Sequence, residues 1–281
     1  MKAVIKDLTP PLLYKLARNL LRKSSYPSGH VGTRNLKILH KRYQVTHDDY
    51  HADLFFNDIH SKYGINSLRG VAVDGLSEEE NTAWYTSNRF IFEGMLRDLS
   101  FPFDSANVLE IGYGVGSYTE VCRKLGVPKY LGVDISDHHI EKLQAKFPSY
   151  KFLKADVGTM DVLETGGNDD KFDLIFMIDV SQHMVNDKKL EYCLRENVIK
   201  KLKPGGIFIV TDELENKKYS FSEKSRSLEF YSRILELDVL QVPIPFHWKY
   251  IFSYTAAPQS GGVHTQSPQQ PSAPAHPTTQ V

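Results

Sequence analysis

Three glycines at alternate positions, Gly112, Gly114 and Gly116, follow a short apolar run in Val108-Leu-Glu-Ile-Gly-Tyr-Gly-Val-Gly-Ser117. Glycine has no Cβ to block a ligand and tolerates unusual backbone angles, so this turn lets a cofactor touch the backbone directly. A helix starting at Ser117 would aim its amides and positive dipole end at a carboxylate or phosphate. Glu110, two residues before the first glycine, suits a cationic group on the same ligand. Two more acids end apolar runs further along, Asp134 in Gly132-Val-Asp-Ile135 and Asp156 in Lys154-Ala-Asp-Val157. An acid about twenty residues past such glycines is placed to accept hydrogen bonds from ribose hydroxyls. His183 follows another apolar run, and an imidazole that titrates near neutrality can act as a general base. Asp179 and Asp212-Glu213 offer the oxygen donors that Mg²⁺ prefers.

These residues need strands and helices to bring them together. From about residue 106 apolar strands alternate with helical patterns, the signature of a βαβ architecture. The strands are expected at Val108–Ile111, Tyr130–Ile135, Tyr150–Ala155, Phe172–Ile178, Ile207–Val210, Val239–Pro243 and Tyr250–Tyr254. The intervening helices are expected at Ser117–Leu125, His138–Lys146, Leu190–Leu202 and Ser222–Glu236. Phe172–Ile178 is apolar throughout, as a central strand buried on both faces should be. The connection Ile244–Lys249 is too short for a helical crossover, so the last two strands should be antiparallel. Ligands of such sheets bind at the carboxyl ends of the strands, where Glu110, Asp134 and Asp156 fall in order.

The glycine spacing departs from the dinucleotide pattern G-x-G-x-x-G, because Ser117 stands where a third glycine would fall. Acid-x-Gly-x-Gly-x-Gly instead resembles the first motif of the class I S-adenosylmethionine (SAM)-dependent methyltransferases. Phe172-Asp-Leu-Ile-Phe-Met-Ile-Asp-Val-Ser-Gln-His-Met184 resembles the fourth-strand motif of many small-molecule members, with its Val-x-x-His element. Lys201-Leu-Lys-Pro-Gly-Gly206 resembles the turn before their fifth strand. The resemblance covers roughly residues 80–255. It implies an α/β fold: a Rossmann-like seven-stranded sheet with an antiparallel last strand, helices on both faces and an α-helical N-terminal region. It implies SAM as cofactor, held by Glu110, Gly112, Tyr113, Gly114, Gly116, Asp134, Ile135, Asp156, Val157 and Asp179. In this scheme Glu110 meets the ammonium group, Asp134 the ribose, and Asp156 with the Val157 amide the adenine.

The implied activity is O-methylation of a small molecule or sugar, with His183 as candidate base. N-methylation of a metabolite, a non-catalytic SAM-binding subunit and a nicotinamide oxidoreductase are the other readings. No Asn/Asp-Pro-Pro-aromatic element follows the fourth strand, which speaks against DNA and exocyclic-amine substrates, and the glutamate pair of protein arginine methyltransferases is not evident. A metal is not favoured; if one is needed, Asp179 and Asp212 are its expected ligands. The run His47-Asp-Asp-Tyr-His51 with Asp53 and His60 reads as substrate contacts or a polar helix face rather than a metal site, and His138 and His139 as surface residues at a helix start.

A chain of 281 residues, 41% apolar and 24% charged, is that of a soluble globular protein. Zero formal net charge argues against whole-molecule attraction to nucleic acid. Cys122 and Cys193, far apart, are expected as free thiols in a reducing, cytoplasmic compartment. Three regions are expected: a helical substrate-capping region over 1–77, the SAM-binding domain over 78–256, and a disordered tail over 257–281 rich in Pro, Gln, Ser and Thr. Leu13–Lys23 combines leucines with Lys15, Arg18, Arg22 and Lys23, and is expected to pack on the domain or to lie on a membrane surface. Ser77-Glu-Glu-Glu80 predicts a capped helix start ahead of the first strand.

Overall fold

A computed structural model describes residues 42–71, 76–162, 171–246 and 249–256. The expectations for Leu13–Lys23 and for the tail lie outside those residues. The first described elements are a small hairpin, β1 (Gln44–Thr46) and β2 (Asp49–Tyr50), and then helix α1 (Ala52–Tyr63). The sequence predicts helices alone here; the hairpin adds Tyr43 and Tyr50, which pack edge-on against Phe55 of α1. Helix α2 (Glu78–Asp98) begins with the predicted capping box, Ser77 Oγ accepting from Glu80 N while Glu80 bonds the Ser77 amide.

The βαβ run follows as β3 (Asn107–Ile111), α3 (Ser117–Lys124), β4 (Lys129–Asp134), α4 (Ile140–Lys146), β5 (Lys151–Lys154) and β6 (Phe172–Met177). Helix α5 (Asp187–Tyr192) then continues as a π-helical stretch, Cys193–Ile199, into β7 (Leu202–Asp212). A second small hairpin, β8 (Lys217–Lys218) with β9 (Lys224–Ser225), precedes α6 (Leu228–Leu235). The chain returns through β10 (Asp238–Phe246) and β11 (Lys249–Thr255).

The seven long strands form one sheet in the order β10-β11-β7-β6-β3-β4-β5. β11 is antiparallel to both neighbours, β7 and β10, and the other pairings are parallel. Strand periodicity sends alternate residues to opposite faces, and here both faces are apolar. Val108, Leu174, Phe176 and Ile209 join Phe92 and Leu96 of α2 and Val121 of α3 in one core layer. Leu109, Ile175, Met177 and Phe208 join Leu194, Tyr231 and Ile234 in the other. Cys122 and Cys193 are buried free thiols, one in each layer. Among the described residues no helix is long and apolar enough to cross a membrane.

One helix is shorter than its sequence pattern. Ser222–Glu236 reads as helical, but only Leu228–Leu235 is. The reason is Asp212, whose carboxylate accepts from the Ser225 hydroxyl and from the Arg226 amide at 3.2 Å. Those bonds hold Lys224–Ser225 in strand β9, after a bend at Ser222, until Ser227 caps the helix.

Candidate active site

The glycine turn is built by close approach. Gly112 donates its amide to Val133 O at 2.7 Å, stitching the turn to β4. Its φ is +83°, and a Cβ there would fall 2.2 Å from Val180 Cγ2. Gly116 has φ +80°, and its Cβ would meet Leu143 Cδ2 at 2.5 Å. Only glycine fits either place. The Gly114 amide donates to Asp134 Oδ2 at 3.0 Å, and the Ser136 amide to Oδ1 at 2.9 Å. Burial raises the proton affinity of Asp134, and these backbone bonds work the other way. At the end of β5, Asp156 Oδ1 accepts from Gly158 N at 3.0 Å.

An open cavity lies over these strand ends. Of the residues singled out in the sequence, Gly112, Tyr113, Gly114, Asp134, Ile135, Asp156, Val157, Asp179 and His183 line it together. Glu110, Gly116 and Asp212 are not in its wall. Glu110 is 1% exposed beneath the turn, where Oε2 accepts from Thr119 Oγ1 at 3.0 Å and from the Tyr130 hydroxyl. Its other oxygen, Oε1, has no hydrogen-bond partner. Burial pushes the carboxyl up to about 8, against those hydrogen bonds and with help from Asp134. Nearby, the buried Asn88 amide approaches the Tyr118 hydroxyl without completing a good hydrogen bond.

His183 ends a 3₁₀ turn, Ser181–His183, just past β6. Its Nδ1 lies 3.0 Å from Ser222 O. A carbonyl can only accept, so the proton sits on Nδ1 and Nε2 carries the lone pair. The Gln182 side-chain amide donates to Nε2 at 3.2 Å, and the Phe56 ring stands edge-on at 5.3 Å. Burial, with the charge of Lys249, lowers the proton affinity of the imidazole, although Glu223, the Ser222 carbonyl and Asp179 oppose it. The ring is therefore held neutral near pH 7.

Residues 109–208 match the family model described as a methyltransferase domain. This chain carries a methyltransferase domain. Its residues are 30% identical over 129 positions to the ubiquinone biosynthesis O-methyltransferase, mitochondrial, of Dictyostelium discoideum, covering 40% of this chain and 37% of that one. They are 28% identical over 144 positions to phosphoethanolamine N-methyltransferase 1 of Arabidopsis thaliana, covering 48% and 28%. The chain thus spans about a third of the length of these curated relatives. Its fold is that of the magnesium protoporphyrin IX methyltransferase of Synechocystis PCC 6803, solved with bound SAM, at a TM-score of 0.54 and 14% identity over 73% of this chain and 97% of that one. The reversed β11 between β7 and β10 belongs to this class I fold, which an all-parallel dinucleotide-binding sheet lacks.

Both candidate metal ligands are committed elsewhere. Asp179, in left-handed conformation at φ +60°, binds the Lys249 ammonium through Oδ1 at 2.7 Å. Asp212 is fully buried and accepts from Ser225, Tyr231 and the Arg226 amide. Among the described residues no three His, Cys, Asp or Glu gather to hold a metal ion. The run around His47 splits accordingly: His47 pairs with Asp48 at the surface, while His60 enters the cavity wall.

The cavity also uses residues outside the matched segment that carry no motif. Ala52, Phe56 and His60 of α1, with Val71 and Tyr85, complete its lining. Helix α1 is fastened there by Ser136, which donates to Asn57 Oδ1 at 2.6 Å and accepts from His60 Nδ1 at 3.0 Å. His138 and His139, expected at the surface, stack around His60 with ring centroids 5.8 and 4.9 Å away, and His139 is buried. The one available signal was i,i+3 and i,i+4 spacing of Phe56, Asn57 and His60 on a helix.

Proposed function

We propose that this protein is a SAM-dependent methyltransferase that methylates a hydroxyl of a small molecule or sugar, with His183 as general base. The observation that carries the choice of a hydroxyl is the neutral imidazole at the cavity wall, its proton fixed on Nδ1 by Ser222 and its Nε2 lone pair engaged only by the neutral Gln182 amide, which an acceptor hydroxyl would have to displace. An amine acceptor has a nucleophilic lone pair once neutral and needs less base catalysis, so such an arrangement would be superfluous for it.

The chain's residues fit SAM. Asp134 and Asp156 sit in the wall where a nucleoside's hydroxyl and amino donors need acceptors. The Tyr118 hydroxyl, which has no hydrogen-bond partner, belongs to a cavity-lining residue beside the glycine turn and could meet the amino-acid part of the cofactor, whereas Glu110 and Asn88 lie behind the wall. When bound, SAM supplies an activated methyl group for in-line displacement. What remains for the protein is to align the acceptor, worth up to roughly 7–11 kcal/mol, and to take its proton at His183 Nε2. The aromatic and apolar wall of Phe56, Tyr85, Val180 and Met184 would exclude water around that proton transfer.

The test is a screen for S-adenosylhomocysteine (SAH) release over sugars, nucleotide sugars, phenols and amines. Turnover of amines alone would replace this reading with N-methylation. SAM binding without turnover on any acceptor class would leave a non-catalytic subunit. On a hydroxyl acceptor, His183→Ala should lower kcat by about 10²–10⁴-fold and leave SAH affinity nearly unchanged in calorimetry. Parallel losses in both would make His183 structural.

A further inference from the structure

Arg226 is the largest fully buried side chain of the described residues, and it serves the turn that carries His183. A three-residue 3₁₀ turn cannot satisfy its own last carbonyls within the element. Arg226 braces both sides of the turn's end: Nη1 donates at 3.1 Å to Ser181 O, which also accepts the turn's own bond from the Met184 amide at 3.2 Å, and Nη2 donates to Met184 O just past the turn. The other donors are equally committed. Nη1 also reaches Lys224 O at 2.8 Å, and Nε and Nη2 both reach Asp187 Oδ1, at 3.1 and 3.0 Å. All five guanidinium N–H groups thus have acceptors. The carbonyl between the clamped pair, His183 O, accepts from the Tyr50 hydroxyl at 3.0 Å.

The clamp and the ring's own anchor lie on one short segment. Ser222, whose carbonyl fixes the proton on Nδ1, is four residues before Arg226, and β9 joins them. The Arg226 amide is pinned in turn by Asp212 at the end of β7. Backbone and ring of His183 are therefore registered against the same strand end.

We infer that Arg226 is the positioning residue of His183, fixing through the Ser181 and Met184 carbonyls and the shared 222–226 segment where the imidazole stands and which nitrogen bears the proton. This rests on His183 as the base, but its first readout does not. Lysine keeps the charge and loses the planar fork, so the test is Arg226→Lys. In wild-type protein, ¹⁵N–¹H correlation of the His183 ring should show a single Nδ1–H tautomer; in R226K it should become mixed. Turnover should fall about 100-fold, the effect of roughly 1 Å of misplacement, with SAH affinity retained and the acidic limb of the pH–rate profile displaced. A folded R226K with the wild-type tautomer and limb overturns the inference. Should R226K not fold, Asp187→Asn, at a half-exposed position on the same clamp, is read the same way: a mixed tautomer supports it and an unchanged one overturns it. A displaced tautomer with undiminished turnover would keep the clamp and remove His183 as the base.

Discussion

Glu110 is a carboxyl group sealed under a glycine turn with one oxygen bonded twice and the other not at all. Its pKa is pushed up to about 8 by burial, whereas in the unfolded chain it titrates near the ordinary glutamate value of about 4.3. Between those limits the folded, cofactor-free protein holds a proton that the unfolded chain has released. The unfolded state then binds fewer protons, so stability falls as pH rises through that window. The slope approaches about 1.4 kcal/mol per pH unit from this residue alone. Glu110→Gln mimics the protonated acid and should remove that slope. Denaturant unfolding of the cofactor-free proteins at several values between pH 5 and 8 would show it: E110Q gains on wild type as pH rises. Parallel curves would mean that the carboxyl is ionised or solvated in the folded state.

At the scale of elements, what the sequence could reveal was whatever depends on local pattern. Strands buried on both faces read as unbroken apolar runs, so β3, β4 and β6 are found within a residue of their expected bounds, whereas β7 begins at Leu202 rather than Ile207 and takes in most of the stretch read as a turn. The glycine turn was legible because its geometry demands glycine at Gly112 and Gly116. The start of α6 was not, since it is set by Asp212 reaching Ser225 and Arg226 across 13 and 14 residues. Nor was the cavity's far wall, where α1 is fastened through Ser136, 79 residues from Asn57. That fastening has a pH signature. His60 is lowered to about 4 and His139 to about 3, chiefly by burial and also by neighbouring histidines. With α1 released they would titrate near the ordinary value of about 6.5. The released form binds more protons below that value, so docking is fully present above it and weakens as pH falls towards about 4. Hydrogen exchange of residues 52–63, corrected for intrinsic rates, should therefore accelerate from pH 7 to pH 5 ahead of the central strands. Loss of protection in α1 and sheet together would show that the histidines report global unfolding instead.

The described residues form a sheet with a core layer on each face and a cavity lined by residues from both layers and from α1. A ligand in that cavity would contact the ends of β3 and β4, the residues after β5, α1 and the His183 turn at once, adding to side-chain ties such as Ser136 to α1 and Tyr50 to the His183 turn. Binding to the folded state alone stabilises it by RT ln(1 + [L]/Kd), about 2.7 kcal/mol at a hundredfold excess over Kd. At about 2–4 °C per kcal/mol for a domain of this size, saturating SAH should raise the melting temperature by about 5–11 °C. NAD should not, because the reversed β11 and the spacing at Ser117 belong to the methyltransferase fold rather than to a dinucleotide site. The rise should also be reported by α1, whose exchange should slow with SAH and not with NAD, since Ala52, Phe56 and His60 of α1 line the cavity. A melting shift with NAD and none with SAH would overturn the assignment of the cavity at its root, whatever the acceptor.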